Sequence, residues 1–194
     1  MANEGQSIAL NNEQHKEFMF FLDNTRHAKR DKLIHLLTYR AGMRIGSIAQ
    51  LKISDIVDTS AKVKTVIVLK RCITKGHKTT MAYISHPELQ TAIVEYLATL
   101  KLPRARAPDI LFVTQKGYPL TPNVASQIML KHYTNAGFEG SSAHGGRASF
   151  ATNCLKNGID IVALSKLMSH TSLNTTMRYV RHNQEELSEM VSKI

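Results

Sequence analysis

Cysteine is nearly missing from this chain. Only Cys72 and Cys154 occur in 194 residues, far apart and without CxxC spacing. That argues against a disulfide framework or a zinc site and for a reducing, cytoplasmic location. The N-terminal stretch lacks the basic start and apolar run of a secretory leader. No segment has the ~20 apolar residues that a membrane-crossing helix needs, so no membrane partner is expected. No internal repeat or low-complexity tract is present. Acidic residues are in deficit: 15 Asp and Glu stand against 25 Lys and Arg, a net charge of +10. Such an excess suits a polyanionic partner, because each phosphate neutralised releases condensed counterions. It equally suits a basic surface that only confers solubility, and composition alone does not separate the two.

A hydrophobic share of 43% over 194 residues is enough for one compact domain with a proper core. Residues 1–12 are polar and read as a flexible lead-in. EQHKEFMFFLDN predicts a short helix. DKLIHLLTYRAG predicts a second, with Leu33, Leu36 and Leu37 at helical spacing and Gly42 as its stop. RIGSIAQLKISDI reads as a third helix, with Ile45, Ile48 and Leu51 on one face. KVKTVIVLKRCI and TTMAYI are rich in β-branched and aromatic residues and flank TKGHK, which predicts a hairpin turning at Gly76. HPELQTAIVEYLATL returns to helical spacing, the prolines and arginines of 103–108 mark an exposed connection, and DILFV reads as a short strand. Thr121-Pro122 opens another helix that Gly137 closes. After EGSSAHGG, the segments RASFATNCLKNG, DIVALSKLMSH and LNTTMRYVRHNQEELSEMV are helical. The expected fold class is mainly α with a small antiparallel β-sheet.

Four places hold polar residues that local structure does not require. Arg44 follows a Gly-ended helix. Lys75 and Lys78 occupy the hairpin turn. His144 and Arg147 enter a helix together in HGGR. His170 precedes Tyr179 by nine residues in SHTSLNTTMRYV. Each alone has an ordinary explanation as a surface cation, a cap or a core tyrosine. An arginine at a helix start is even disfavoured by the macrodipole. The ordered set is what carries weight.

GMRIGSIAQLKISDI resembles the first arginine motif of the tyrosine recombinase (phage integrase) family. AHGGRASFAT resembles its His-x-x-Arg box. LMSHTSLNTTMRYV resembles its closing motif, in which His, Ser/Thr, Leu, Thr-Thr and the nucleophilic Tyr fall in their places. The resemblance spans residues 13–182, with TKGHK aligned to the turn that holds the family's lysine. It implies that fold and a catalytic set of Arg44, Lys75, His144, Arg147, His170 and Tyr179, with Lys78 and then Lys70 as the next candidates for the lysine. It further implies double-stranded DNA as substrate, no metal and no cofactor, and self-association as a tetramer on DNA. A tail helix over 183–194 would either pack on a neighbouring protomer or fold back on its own domain. The chain departs from the family in having Gly146 and Ala148 around the second arginine, where Leu and His are common. Ser169 stands where Gly usually precedes the closing histidine.

The residue types suit phosphodiester chemistry without a metal. Tyrosine ordinarily titrates near 10, so an attacking phenolate at pH 7 costs about 4 kcal/mol, which neighbouring cations offset. Guanidiniums keep their charge and bind two oxygens in a planar fork. Losing one such donor is expected to cost about 3–4 kcal/mol of barrier stabilisation. Lys75 would protonate the leaving 5′ oxygen, His144 would accept the tyrosine proton or bond the phosphate, and His170 would donate to a nonbridging oxygen. A type IB topoisomerase and a non-catalytic DNA-binding regulator are the competing expectations. Most relatives carry a further DNA-clamping domain. The short lead-in therefore implies a shortened piece or a naturally short enzyme of the fimbrial inversion type, with weak, salt-sensitive DNA binding.

Overall fold

The computed structural model describes residues 8–70, 74, 79–100, 109–180 and 191–192. Helix α1 (Asn12–Asp23) begins in a capping box. The Asn11 side chain accepts from the Gln14 N–H, and the Gln14 side chain accepts from the Asn11 N–H. The chain just before it is tied down rather than loose. Leu10 is buried and its N–H donates to Ser149 Oγ at 2.7 Å, while Ile8 pairs with the Gly140 carbonyl.

Helix α2 (Ala28–Tyr39) is buried on every side from Leu33 to Tyr39, so it forms the axis of the core. After it the expected third helix is broken into two turns, α3 (Ile45–Ile48) and α4 (Ile53–Ile56). The reason is tertiary. The Leu51 carbonyl accepts from Leu111, and the Ile53 N–H donates to Asp109, so the backbone at 51–53 is engaged by a distant segment. That same segment, DILFV, makes only the single bridges Lys52↔Ile110 and Val113↔Pro119 and is not a regular strand. Its Leu111 and Phe112 are nonetheless core residues.

Strands β1 (Val66–Leu69) and β2 (Thr80–Tyr83) pair antiparallel, Val66 opposite Tyr83 and Leu69 opposite Thr80. Ile67, Leu69 and Ala82 face the core. Helices α5 (Pro87–Ala98) and α6 (Pro122–Asn135) both carry proline in the first turn, and Thr121 caps α6 as expected. Helix α7 (Ala143–Lys156) starts earlier than expected and takes the HGGR residues into its first turns. Helices α8 (Ile161–Leu167) and α9 (Leu173–Met177) follow. The helix expected to run on through Tyr179 stops at Met177, and most of the expected tail helix lies outside the described residues. The chain is thus mainly helical with a small antiparallel sheet. No helix among the described residues is long and apolar enough to cross a membrane.

A polar column runs through the core. Glu88 Oε1 lies 3.2 Å from His15 Nε2, His15 Nδ1 lies 3.0 Å from His35 Nε2, and His35 Nδ1 lies 2.9 Å from the Tyr133 hydroxyl. Every ring nitrogen of the two histidines has a partner, as burial of polar groups demands. Arg40 closes the outer end with an ion pair to Glu88 at 2.7 Å.

Candidate active site

Past the end of α2 the chain turns at Gly42, whose φ of 60° places it in the left-handed region. A Cβ there would also run into the Phe150 ring of α7. The turn delivers Arg44 to the start of α3 with its side chain half-buried and free of any capping duty. Arg147, one helix away on α7, is 7% exposed. It donates Nη1 to the Gly42 carbonyl and Nη2 to the Met168 carbonyl, while Arg44 Nη2 reaches the Ser169 carbonyl at 3.5 Å. Both guanidiniums therefore bond to carbonyls of the 168–169 turn, and Arg147 also bonds to the Gly42 carbonyl two residues before Arg44. They line one pocket with Ser47, Thr74 and Thr80.

Neither guanidinium has a carboxylate partner among the described residues, whereas Arg30 pairs with Asp31 and Arg40 with Glu88. Charge left without a counterion at this depth is costly. Burial first, then the Arg44 charge, pulls the Arg147 guanidinium down to about 9. Burial likewise lowers Arg44, and the Tyr179 phenol acts on both in the opposite sense. Arg44, Arg147 and Tyr179 thus lie within electrostatic reach of one another. Among the described residues no carboxylate balances the two guanidiniums.

Helix α8 ends in a Schellman turn. The His170 N–H donates to the Ser165 carbonyl and the Ser169 N–H to the Lys166 carbonyl, each at 3.0 Å. Ser169 is the left-handed residue of that turn, at φ 51°. The turn aims the Met168 and Ser169 carbonyls at the arginines and sets His170 beside Tyr179, ring centroids 6.4 Å apart and 13° from parallel. Burial, followed by Arg147, Arg44 and Arg178, depresses the His170 imidazole to about 4, so it is neutral at pH 7. Tyr179 lies in the turn after α9, packed on the small cluster of Ala151, Cys154, Leu164 and Met168. Its N–H donates to the Thr176 carbonyl at 3.0 Å.

Four of the six expected residues, Arg44, Arg147, His170 and Tyr179, are brought together. His144 is one helical turn before Arg147 with its side chain exposed, and no hydrogen bond or ring contact joins it to the other four. Lys75 lies outside the described residues, although its neighbour Thr74 lines the arginine pocket. Sequence reading passed over Thr176 as a residue of the site. Its hydroxyl is 2.8 Å from His170 Nδ1, and its placement six after the histidine and three before the tyrosine is the signal that marks it.

The sequence model of the phage integrase family matches residues 9–186. This chain belongs to the phage integrase family. Its relatives include tyrosine recombinase XerC of Methylobacterium sp. (strain 4-46), 36% identical over 160 residues, which are 81% of this chain and 47% of the relative. The crystal structure of XerA recombinase superposes with a TM-score of 0.76 at 26% identity, covering 97% of this chain and 65% of that one. XerH site-specific recombinase bound to difH substrate, in a pre-cleavage complex, gives a TM-score of 0.74 at 26% identity, covering 99% and 55%. The chain spans about half the length of the XerC relative that it matches. Membership makes the departure at Ser169 intelligible. Ser169, which stands where glycine usually precedes the closing histidine, holds a left-handed position that glycine would adopt without strain.

Proposed function

We propose that this chain is the catalytic domain of a site-specific DNA recombinase, which cleaves and rejoins double-stranded DNA through a 3′-phosphotyrosyl bond to Tyr179. The observation that carries this reading is the pair of guanidiniums, Arg44 and Arg147, held in one pocket without a carboxylate among the described residues. A phosphodiester supplies the missing negative charge, and the more negative phosphorane of the transition state supplies more of it. The Tyr179 oxygen forms a bond to phosphorus as the bond to the 5′ oxygen breaks. Lys75 gives that oxygen its proton, His144 takes up the tyrosine proton or bonds the phosphate, and neutral His170 donates to a nonbridging oxygen. One phosphoester replaces another, and reversal by a 5′-hydroxyl from a second duplex gives strand exchange.

In this reading residues 13–182 are the catalytic unit. A tail over residues 183–194 would either pack on a neighbouring protomer or fold back on its own domain, and assembly is tetrameric on DNA within the cytoplasm. The solved XerH relative bound to its difH substrate supports a duplex as partner. The deciding experiment is a duplex nicked near the cleavage site, on which the covalent adduct is trapped. A denaturation-resistant protein–DNA band that Tyr179→Phe abolishes is the expected result. Sequence-specific binding without any adduct would instead make the chain a regulator on the same fold.

A further inference from the structure

Thr176 has 0% exposure, and the one hydrogen-bond partner of its hydroxyl among the described residues is His170 Nδ1 at 2.8 Å. Thr38 and Thr152 spend their hydroxyl protons on backbone carbonyls three and four residues back, but Thr176 returns no such bond to its own helix. Leaving a buried hydroxyl proton unused costs about 1–3 kcal/mol. If the imidazole donated from Nδ1, that proton would have nowhere to go. The hydroxyl therefore donates and Nδ1 accepts. A neutral imidazole with an accepting Nδ1 carries its proton on Nε2. Neutrality follows from burial and from the adjoining Arg147, Arg44 and Arg178 charges. Nε2 itself has no partner among the described residues, so its proton remains for a ligand.

We propose that Thr176 is a positioning residue that fixes His170 as the Nε2–H tautomer, a hydrogen-bond donor toward the phosphate, and ties that donor to the nucleophile. The second tie is a backbone hydrogen bond: the carbonyl of the same Thr176 accepts the Tyr179 N–H at 3.0 Å. One residue thereby sets both the protonated edge of the histidine and the turn that presents the phenol. The role toward phosphate rests on the recombinase reading above, whereas the tautomer does not.

Two measurements separate them. Nitrogen-correlated NMR of the His170 ring in the free protein reads which nitrogen bears the proton, with no DNA involved. Wild type and Thr176→Ser should show a single Nε2–H form, and Thr176→Val, which keeps the shape but lacks the donor, a mixture. Single-turnover adduct formation on the nicked duplex should then slow by roughly 10- to 100-fold in Thr176→Val at unchanged DNA affinity, and by no more than about threefold in Thr176→Ser. An Nδ1–H form in wild type overturns the proposal, and so does a folded Thr176→Val that cleaves at the wild-type rate. Should Thr176→Val fail to fold, the wild-type tautomer and the Thr176→Ser rate still decide. An Nε2–H tautomer in a wild-type protein that forms no adduct would sustain the pairing and overturn the recombinase reading.

Discussion

Gly146 presses on Thr38: a Cβ at this position of α7 would run into the Thr38 Oγ1 of α2 and come within 3.1 Å of its Cβ. Glycine inside a helix costs about 1 kcal/mol relative to alanine, so the contact is a tertiary requirement that overrides local preference. It accounts for the absence here of the leucine common before the second arginine. A larger side chain would push α7, and Arg147 with it, away from the Gly42 carbonyl. We expect Gly146→Ala to destabilise the domain by about 2–3 kcal/mol in urea unfolding, and Gly146→Leu by more. Thr38→Ala should recover part of the loss in the double variant. Additive effects of the two substitutions would show that the helices do not meet there.

The grouping of the candidate site residues was legible in the sequence because it follows from motifs of residue identity. Arg44, Arg147, His170 and Tyr179 stand in motifs whose spacing survives any change in the connecting structure. What escaped was set by contacts between distant segments. RIGSIAQLKISDI has helical spacing, yet its middle is drawn into hydrogen bonds with residues 109–111. His144 shares the motif of Arg147, but the helix that buries the arginine leaves the histidine exposed. The left-handed turn before His170 is occupied by serine and gives no glycine signal.

That turn supplies a second prediction. A non-glycine residue in the left-handed region costs about 1 kcal/mol, and the Ser169 side chain makes no hydrogen bond among the described residues to offset it. Ser169→Gly should stabilise the domain by about 0.5–1 kcal/mol, less whatever freedom glycine adds to the unfolded chain. The check is a higher urea midpoint at unchanged slope, with adduct formation retained. A lower midpoint would mean that the serine hydroxyl contributes something beyond its backbone shape.

Two guanidiniums without a carboxylate among the described residues imply a trade between stability and activity. Removing Arg44 relieves its repulsion of Arg147, so Arg44→Met should raise the unfolding free energy of the DNA-free domain by about 0.5–1 kcal/mol. The same change should slow adduct formation by roughly 100- to 1,000-fold, as loss of a transition-state donor does. Inorganic phosphate should raise the melting temperature of wild type more than that of Arg44→Met. Equal shifts would count against an anion site between the arginines.

With a net charge of +10, the protein should bind duplex DNA mainly through phosphate contacts. Its affinity is then expected to fall by about 100-fold or more between 50 and 200 mM salt. A titration by fluorescence anisotropy reads this directly, and an affinity flat across that range would remove the net positive charge from the account of binding.

The buried column sets the response to acid. Its hydrogen bond to His15 first, and then Arg40, hold the Glu88 carboxyl at about 2 against the opposing effect of burial. A carboxyl lowered in the folded state stabilises above its unfolded value of 4.5, and that contribution is lost as pH falls from 4.5 toward 2. His35 acts in the same direction from a higher starting point. Burial, with the neighbouring His15, keeps it well below 6.5, so the unfolded chain takes up its proton first as pH drops below that value. Unfolding free energy should therefore decline from about pH 6.5 downward and continue to decline below 4.5. Glu88 is partly open to solvent, and Glu88→Gln should cost about 1 kcal/mol at pH 7 once screening is allowed for. The variant should also lose less stability than wild type between pH 4.5 and 3, because it has no carboxyl to protonate. Urea unfolding at pH 7, 5.5, 4.5 and 3 makes the comparison. Parallel curves for the two proteins would place the acid-sensitive group elsewhere than at the His15–Glu88 end of the column.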